Sequence, residues 1–256
     1  MKFEEWNIWY EKILVDFGFS REEDEKTAAI LNKLLSVKDS IKIEDLLDNL
    51  KHEKITIHNF HKNKSNIKKF IVFGAGPSLK KDIMKIKNFC NLEDSNEYIL
   101  ISADGATTAL LEEKIVPDII VTDLDGKIED LILANDLGSV FVVHAHGNNF
   151  EKILKYTNSF NKILGTTQSE PFSNLYNFGG FTDGDRAVFL AIALNAEKII
   201  LAGMDFGKIV TKYSRPEIET ETADADEIKQ KKLQYAEKLV NWAKENNDIE
   251  IINLSK

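Results

Sequence analysis

Carboxylates recur in this chain where an apolar run gives way to glycine. Ser102-Ala-Asp104-Gly105, Thr122-Asp123-Leu-Asp125-Gly126 and Thr182-Asp183-Gly-Asp185-Arg186 each set one or two acids beside a glycine. Asp123 and Asp125 stand two residues apart at the end of Asp118-Ile-Ile-Val-Thr122, which reads as a strand, so both side chains can point to one side. Two carboxylates held together repel each other unless a cation joins them. Mg²⁺ takes oxygen ligands of this kind and commonly bridges to substrate phosphates. Asp-x-Asp-Gly is also ordinary turn chemistry. The acid at Asp104, together with Asp183 and Asp185 further along, favours the metal reading, with Asp104, Asp123 and Asp125 as candidate ligands.

A second pattern is Gly74-Ala-Gly76-Pro-Ser78, between a strand-like run and a helix-like one. Glycines let a backbone approach a phosphate, and the amides of a helix N-terminus face an anion. Leu79 stands where a dinucleotide fingerprint would have its third glycine, and no Gly-Lys-Ser/Thr follows. A tight strand-to-helix turn accounts for the string equally well. His144 and His146, with Gly147, Asn148 and Asn149 behind them, suggest the wall of a polar pocket rather than a zinc site. Cys90, the only cysteine, excludes a disulfide framework and a thiolate-built metal centre, and reads as a small apolar residue.

The elements that must position these groups differ along the chain. Up to about residue 65 the pattern is helical. Phe3, Trp6, Tyr10, Ile13, Leu14 and Phe17 recur at three- and four-residue steps, with Gly18 as a stop. Ser20 and Glu23 form a capping signature ahead of a second helix, and Ile43, Leu46, Leu47 and Leu50 suggest a third. His58 to Lys69 reads as a linker between an N-terminal helical region (1–65) and a larger unit (66–256). There the runs Phe70–Phe73, Tyr98–Ser102, Asp118–Thr122, Val140–Val143 and Lys198–Ala202 alternate with helices at 106–114, 129–137 and 185–195. Continuous apolar strands joined by helices predict an α/β fold with a mainly parallel sheet flanked by helices. Ligands of such sheets sit at the carboxyl ends of the strands, where the acids are. The acidic stretch 217–227 is expected to be a surface loop leading into a helix at 227–244.

The chain has 256 residues, with 33 Lys and Arg against 42 Asp and Glu, for a formal charge of −9. That balance argues against a nucleic-acid or membrane-surface partner. Glu4 and Glu5 interrupt the first apolar residues, so a secretory leader is not expected and a cytoplasmic location is. The aromatic-rich first helices could form a contact between copies, a homo-oligomer.

The strings Phe73-Gly-Ala-Gly-Pro-Ser-Leu79, Ser102-Ala-Asp-Gly-Ala106, Pro117-Asp-Ile-Ile-Val-Thr-Asp-Leu-Asp-Gly126 and Gly179-Gly-Phe-Thr-Asp-Gly-Asp-Arg-Ala187 resemble the archaeal 6-hydroxymethyl-7,8-dihydropterin diphosphokinases. More distantly, the larger unit is similar to thiamin pyrophosphokinase, with Thr122 in place of the first glycine of that family's metal motif. The resemblance implies an α/β catalytic unit that transfers diphosphate from ATP to the pterin's hydroxymethyl group and releases AMP, in methanopterin synthesis. It implies Mg²⁺ as cofactor and ATP as co-substrate. Asp104, Asp123 and Asp125 would hold the metal, and Asp183, Asp185 and Arg186 would serve catalysis. Gly74, Gly76, Ser78, Asp104 and Gly105 would meet the nucleotide. Asn148, Asn149 and Gln168 are candidate readers of the pterin edge, with Phe172, Tyr176 and Phe178 as stacking faces. Motility-associated glycosyltransferases share the first two strings but are usually longer chains. A sugar-nucleotide enzyme, a thiamin-type kinase and a non-catalytic nucleotide-binding module remain the alternatives.

Overall fold

The computed structural model describes residues 1–38, 40–50, 67–90 and 97–256. The expected linker lies outside the described residues up to position 66, and its last residue, Lys69, already opens the first strand. Seven strands of the main sheet follow in chain order: β1 (Lys69–Phe73), β2 (Ile99–Ala103), β3 (Ile119–Thr122), β4 (Val140–Ala145), β5 (Ile163–Thr167), β6 (Leu175–Tyr176) and β7 (Lys198–Ala202). A separate antiparallel hairpin, β8 (Ile209–Thr211) with β9 (Thr222–Asp224), precedes the last strand, β10 (Glu250–Asn253). The sheet order is β10-β7-β1-β2-β3-β4-β5-β6 and every pairing in it is parallel. The chain starts in the middle, walks outward to β6, and returns to the other side of β1. Such a reversal opens a crevice at the carboxyl edge.

Strand periodicity assigns the two faces. Phe70 and Val72 of β1 point into one apolar cluster, Ile71 and Phe73 into another. The first face is covered by α1 (Phe3–Phe17), α7 (Asp183–Ala193) and α8 (Glu227–Asn246). The opposite face carries α3 (Leu79–Phe89) and α4 (Ala106–Glu112) over β1, β2 and β7. Beside them α2 (Arg21–Ser36), α5 (Ile128–Asp136) and α6 (Phe150–Tyr156) cover β3 to β6.

The N-terminal helices belong to this core. α1 buries Trp6, Tyr10 and Ile13 among sheet residues, each such side chain contributing about 1.5–3 kcal/mol on burial. It ends at Gly18 with φ 66°, the left-handed stop its sequence calls for. Ser20 caps α2 by accepting from the Glu23 amide. The expected third helix is instead two short 3-10 turns, Ile43–Asp45 and Leu47–Asn49. The 217–227 stretch is not wholly loop, since Thr222–Asp224 pairs with Ile209–Thr211. Cys90 caps the end of α3, half-buried, and burial with nearby Glu97 raises its thiol pKa, in keeping with an inert role. No described helix is long and apolar enough to cross a membrane.

Candidate active site

Two strand exits and one helix start converge at the carboxyl edge of the sheet. Asp104 leaves β2 in a left-handed conformation (φ 40°), and Asp123 follows β3. Asp183 is the first residue of α7. One carboxylate oxygen from each lies within 4.8 Å of the others. They border a cavity of about 290 Å³ whose walls also include the loop after β1, the loop after β7, Arg186, and residues of α2 and α8.

The electrostatics follow from this crowding. Burial and the Asp123 charge push Asp104 up to about 7, although the Thr122 hydroxyl, which donates to Asp104 Oδ1, works in the other direction. Burial with Asp123 and Asp104 raises Asp183 well above the usual carboxylate range. Burial also opposes ionisation of Asp123, but the hydrogen bond from His146, with the charges of Arg186 and Lys232, holds it down to about 2. His146 Nδ1 accepts the Asn148 amide at 3.3 Å, so the neutral ring carries its proton on Nε2, which faces Asp123 Oδ2 at 3.3 Å. Asp183 Oδ1 is buried with no hydrogen-bond partner, the Arg186 guanidinium approaching only to 3.6 Å. Three carboxylates, one pinned by a histidine and one with an unpartnered oxygen, suit a hard divalent cation.

Two of the expected carboxylates are placed elsewhere. Asp123 and Asp125 both border the cavity but at different depths, because β3 ends at Thr122 and Leu124 turns the chain with φ 66°. A left-handed conformation costs a non-glycine residue roughly 1–2 kcal/mol, offset here by the burial of the Leu124 side chain. Asp125 is thereby sent to the cavity rim, its side chain 63% exposed against 18% for Asp123, and pairs with Lys152 at 2.6 Å. Asp183 takes the third place in the cluster. Asp185 is fully buried and turned back on its own helix start. Its oxygens accept from the Phe181 and Thr182 amides at 2.6 and 2.8 Å and from the Thr182 hydroxyl at 2.5 Å. It shapes the turn that presents Asp183 and Arg186, and does not reach the cluster.

Residues Gly74 to Pro77 line the cavity, yet the amides of Gly74, Gly76 and Ser78 are taken. Gly74 N and Gly76 N donate to Ala202 O and Gly203 O, and Ser78 N to Asp205 Oδ2. Ser78 Oγ lies 2.7 Å from Asp82 and 3.0 Å from Asp205, so two carboxylates already occupy the start of α3. The glycines serve the loop-to-loop contact: a Cβ on Gly76 would meet Asp205 at 2.2 Å and Gly203 O at 2.6 Å. Gly105 allows a similar approach by the segment after β8, a Cβ there falling 1.7 Å from Tyr213 O.

Arg186, only 8% exposed, donates to Gln168 Oε1 at 3.2 Å and leaves Nε unpaired. Gln168 in turn donates to Asp24, which also receives the Tyr10 hydroxyl and the Gly147 amide. A buried polar chain thus runs from α1 and α2 to Arg186. Of the expected pterin readers, Asn148 and Gln168 line the cavity, whereas Asn149 ties Asp123 O to His144 O. Phe172, Tyr176 and Phe178 lie away from the cavity, and its aromatic faces come from Phe19, Phe181 and Phe206. Sequence reasoning missed Phe19, Asp24, Lys229 and Lys232. Each reads locally as ordinary helix or turn, and only tertiary packing reveals its position.

A parallel α/β sheet whose carboxyl edge gathers carboxylates, a buried arginine and a cavity is the layout of a group-transfer enzyme. The family described as "6-hydroxymethylpterin diphosphokinase MptE-like" matches residues 44–211. A 6-hydroxymethyl-7,8-dihydropterin pyrophosphokinase of Methanothermobacter thermautotrophicus is 49% identical over 98% of this chain and 99% of its own. Those of Methanocaldococcus jannaschii (44%, over 98% and 100%) and Pyrococcus furiosus (43%, over 100% of both) are similar as well. The chain belongs to the MptE-like family and with it to the diphosphotransferases. Among solved structures, the MAf glycosyltransferase from Magnetospirillum magneticum AMB-1 is similar over 84% of this chain and 39% of that one, with a TM-score of 0.48 and 15% identity.

Proposed function

We propose that this chain transfers the terminal diphosphoryl group of ATP to the hydroxymethyl oxygen of 6-hydroxymethyl-7,8-dihydropterin, in pterin synthesis, with Mg²⁺ as cofactor. The observation that carries the chemistry is the convergence of Asp104, Asp123 and Asp183 within 4.8 Å beside Arg186. The acceptor rests on three full-length relatives bearing the pterin name, which favour it over the sugar-nucleotide alternative.

The alcohol oxygen forms a bond to the β-phosphorus as the bond from that phosphorus to the oxygen shared with the α-phosphate breaks, and AMP leaves with the electron pair. Such transfers ask the protein for positioning and charge neutralisation more than for covalent chemistry. Mg²⁺, when bound, would neutralise phosphate oxygens, with Asp104 and Asp123 as its holders. Asp183 either completes that shell or takes the alcohol proton on its unpartnered Oδ1. Arg186, fixed by Gln168, can grip phosphate oxygens with its planar guanidinium. His146 keeps Asp123 oriented.

Incubation with ATP, Mg²⁺ and the reduced hydroxymethylpterin should yield AMP and pterin diphosphate in equal amounts by mass spectrometry, both lost with EDTA. A folded protein that binds ATP and forms no pterin product would reject the acceptor.

The cluster also sets a stability profile. Without a cation the folded pKa of Asp104, up to about 7, exceeds its unfolded value, and Asp183 is shifted the same way. Between the two values the folded chain holds more protons than the unfolded one, so its stability falls as pH rises through that window. Asp123 is shifted oppositely, but its contribution changes only below the ordinary carboxylate range of about 4. The melting temperature in chelator should therefore decline from about pH 5 to about pH 8, and Mg²⁺ should cancel the decline. A flat profile in chelator would mean that the carboxylates do not interact.

A further inference from the structure

We propose that Lys232, with Lys229 one turn before it on α8, forms a cationic subsite for phosphate oxygens in the same cavity, facing the carboxylate cluster. This rests on the reading above and adds groups that its motifs do not contain.

Both lysines line the cavity. Lys232 is partly buried, and its ammonium lies 5.7 Å from the centre of the Phe19 ring and 5.9 Å from that of Phe181. Those rings come from the α1–α2 turn and from the segment leading into α7, so three parts of the fold hold this one cation in place. Among the described residues no carboxylate lies within ion-pair distance of it, although Asp123 and Asp125 act on it through space. Burial lowers its pKa, and the neighbouring charges of Lys229 and Arg186 add to that. A cation removed from water without an ion-pair partner is costly unless an anion joins it.

The anion is phosphate because the usual alternative seat is taken. The amides of Gly74, Gly76 and Ser78 are bonded to Ala202, Gly203 and Asp205, and carboxylates cap the start of α3. A polyphosphate entering this acidic cavity needs positive charge from side chains. Arg186, whose Nε has no partner, and the two lysines supply it from α7 and α8. A lysine is a point charge on a flexible stem, suited to following a phosphate that moves from donor to acceptor.

The test is calorimetric binding of ATP, AMP and inorganic diphosphate, with Mg²⁺, to the full-length chain and to Lys232→Met, which keeps the apolar stem over both rings. ATP affinity should drop by about 10- to 100-fold, as for a lost charge-assisted hydrogen bond, with the melting temperature nearly unchanged. A parallel loss for diphosphate alone places the ammonium on the transferred group. A loss for AMP alone places it on the leaving phosphate. Lys232→Arg should recover most of the affinity. Unchanged affinity for all three ligands in folded Lys232→Met would overturn the subsite. Should that variant not fold, Lys229→Met carries the same test, and unchanged affinities there would overturn the subsite equally. A wild-type chain that binds ATP but makes no pterin diphosphate would reject the assigned acceptor and leave this measurement standing.

Discussion

Asp183→Asn is expected to cut turnover by about 10³-fold or more with the fold intact, the scale seen when a charge-stabilising group is removed from a phosphoryl-transfer site. Asp125→Asn should cost less than about tenfold, since an exposed ion pair contributes little. The contrast is the point. Strand spacing alone would rank Asp125 beside Asp123, whereas the structure puts Asp183 there. Asp183 takes no part in capping α7, so the amide should be tolerated, and relief of repulsion from Asp104 and Asp123 should raise the melting temperature in chelator. Mg²⁺ titration of the variant then separates its two proposed roles. Lost affinity marks a ligand, and retained affinity with lost turnover marks the proton acceptor. Near-normal turnover in Asp183→Asn would sink the cluster assignment.

The second large effect is expected at a residue with no side chain. In Gly105→Ala the new methyl would sit 1.7 Å from the Tyr213 carbonyl oxygen, a backbone atom that cannot rotate away. Either the segment after β8 lifts or the exit of β2 shifts, and Asp104 moves with it. Overpacking of this kind costs about 1–3 kcal/mol and occasionally more, so the denaturant midpoint should fall measurably and turnover should fall further. Gly207→Ala is the control, because nothing lies within 4 Å of its added Cβ. Equal stability of the two variants would show that the contact at Gly105 is not made in solution.

The central strands were legible because a parallel strand covered on both faces must be a continuous apolar run, and β1 to β4 and β7 are. β5 ends in Gly165-Thr-Thr167 and escaped that signal. Its glycine is there because α2 and β6 press close, a Cβ meeting Leu35 and Leu175 each at 2.5 Å. β6 has two residues, β10 is a polar-ended edge, and β9 lies in an acidic stretch, so none carries a pattern of its own. At the site, Asp104 and Asp123 could be read from their strand exits. Asp125 could not be told from Asp183, because extrapolating strand alternation past Thr122 ignores the left-handed Leu124. Asp185 looked chemical and proved to be a cap, as acids in a first helical turn often are. Lys232 had no local mark, since helix α8 lies far along the chain from Asp104 and Asp123.

The sheet order has a consequence for how the molecule comes into being. β1 is made early but is flanked by β7, whose Lys198 pairs with Lys69, only after everything from β2 to α7 has been synthesised. Such long-range parallel pairing is slow, because the intervening chain must be closed before the contact stabilises anything. A growing polypeptide can therefore assemble β1 to β6 while one edge of β1 stays open to stray partners. The bonds from Gly74 to Ala202 and from Gly76 to Gly203 close only when β7 docks, and α8 with its lysines settles later still. Chains that stall or are clipped before β7 would carry Asp104, Asp123 and Asp183 yet lack the part of the cavity wall that the loop after β7 and α8 supply.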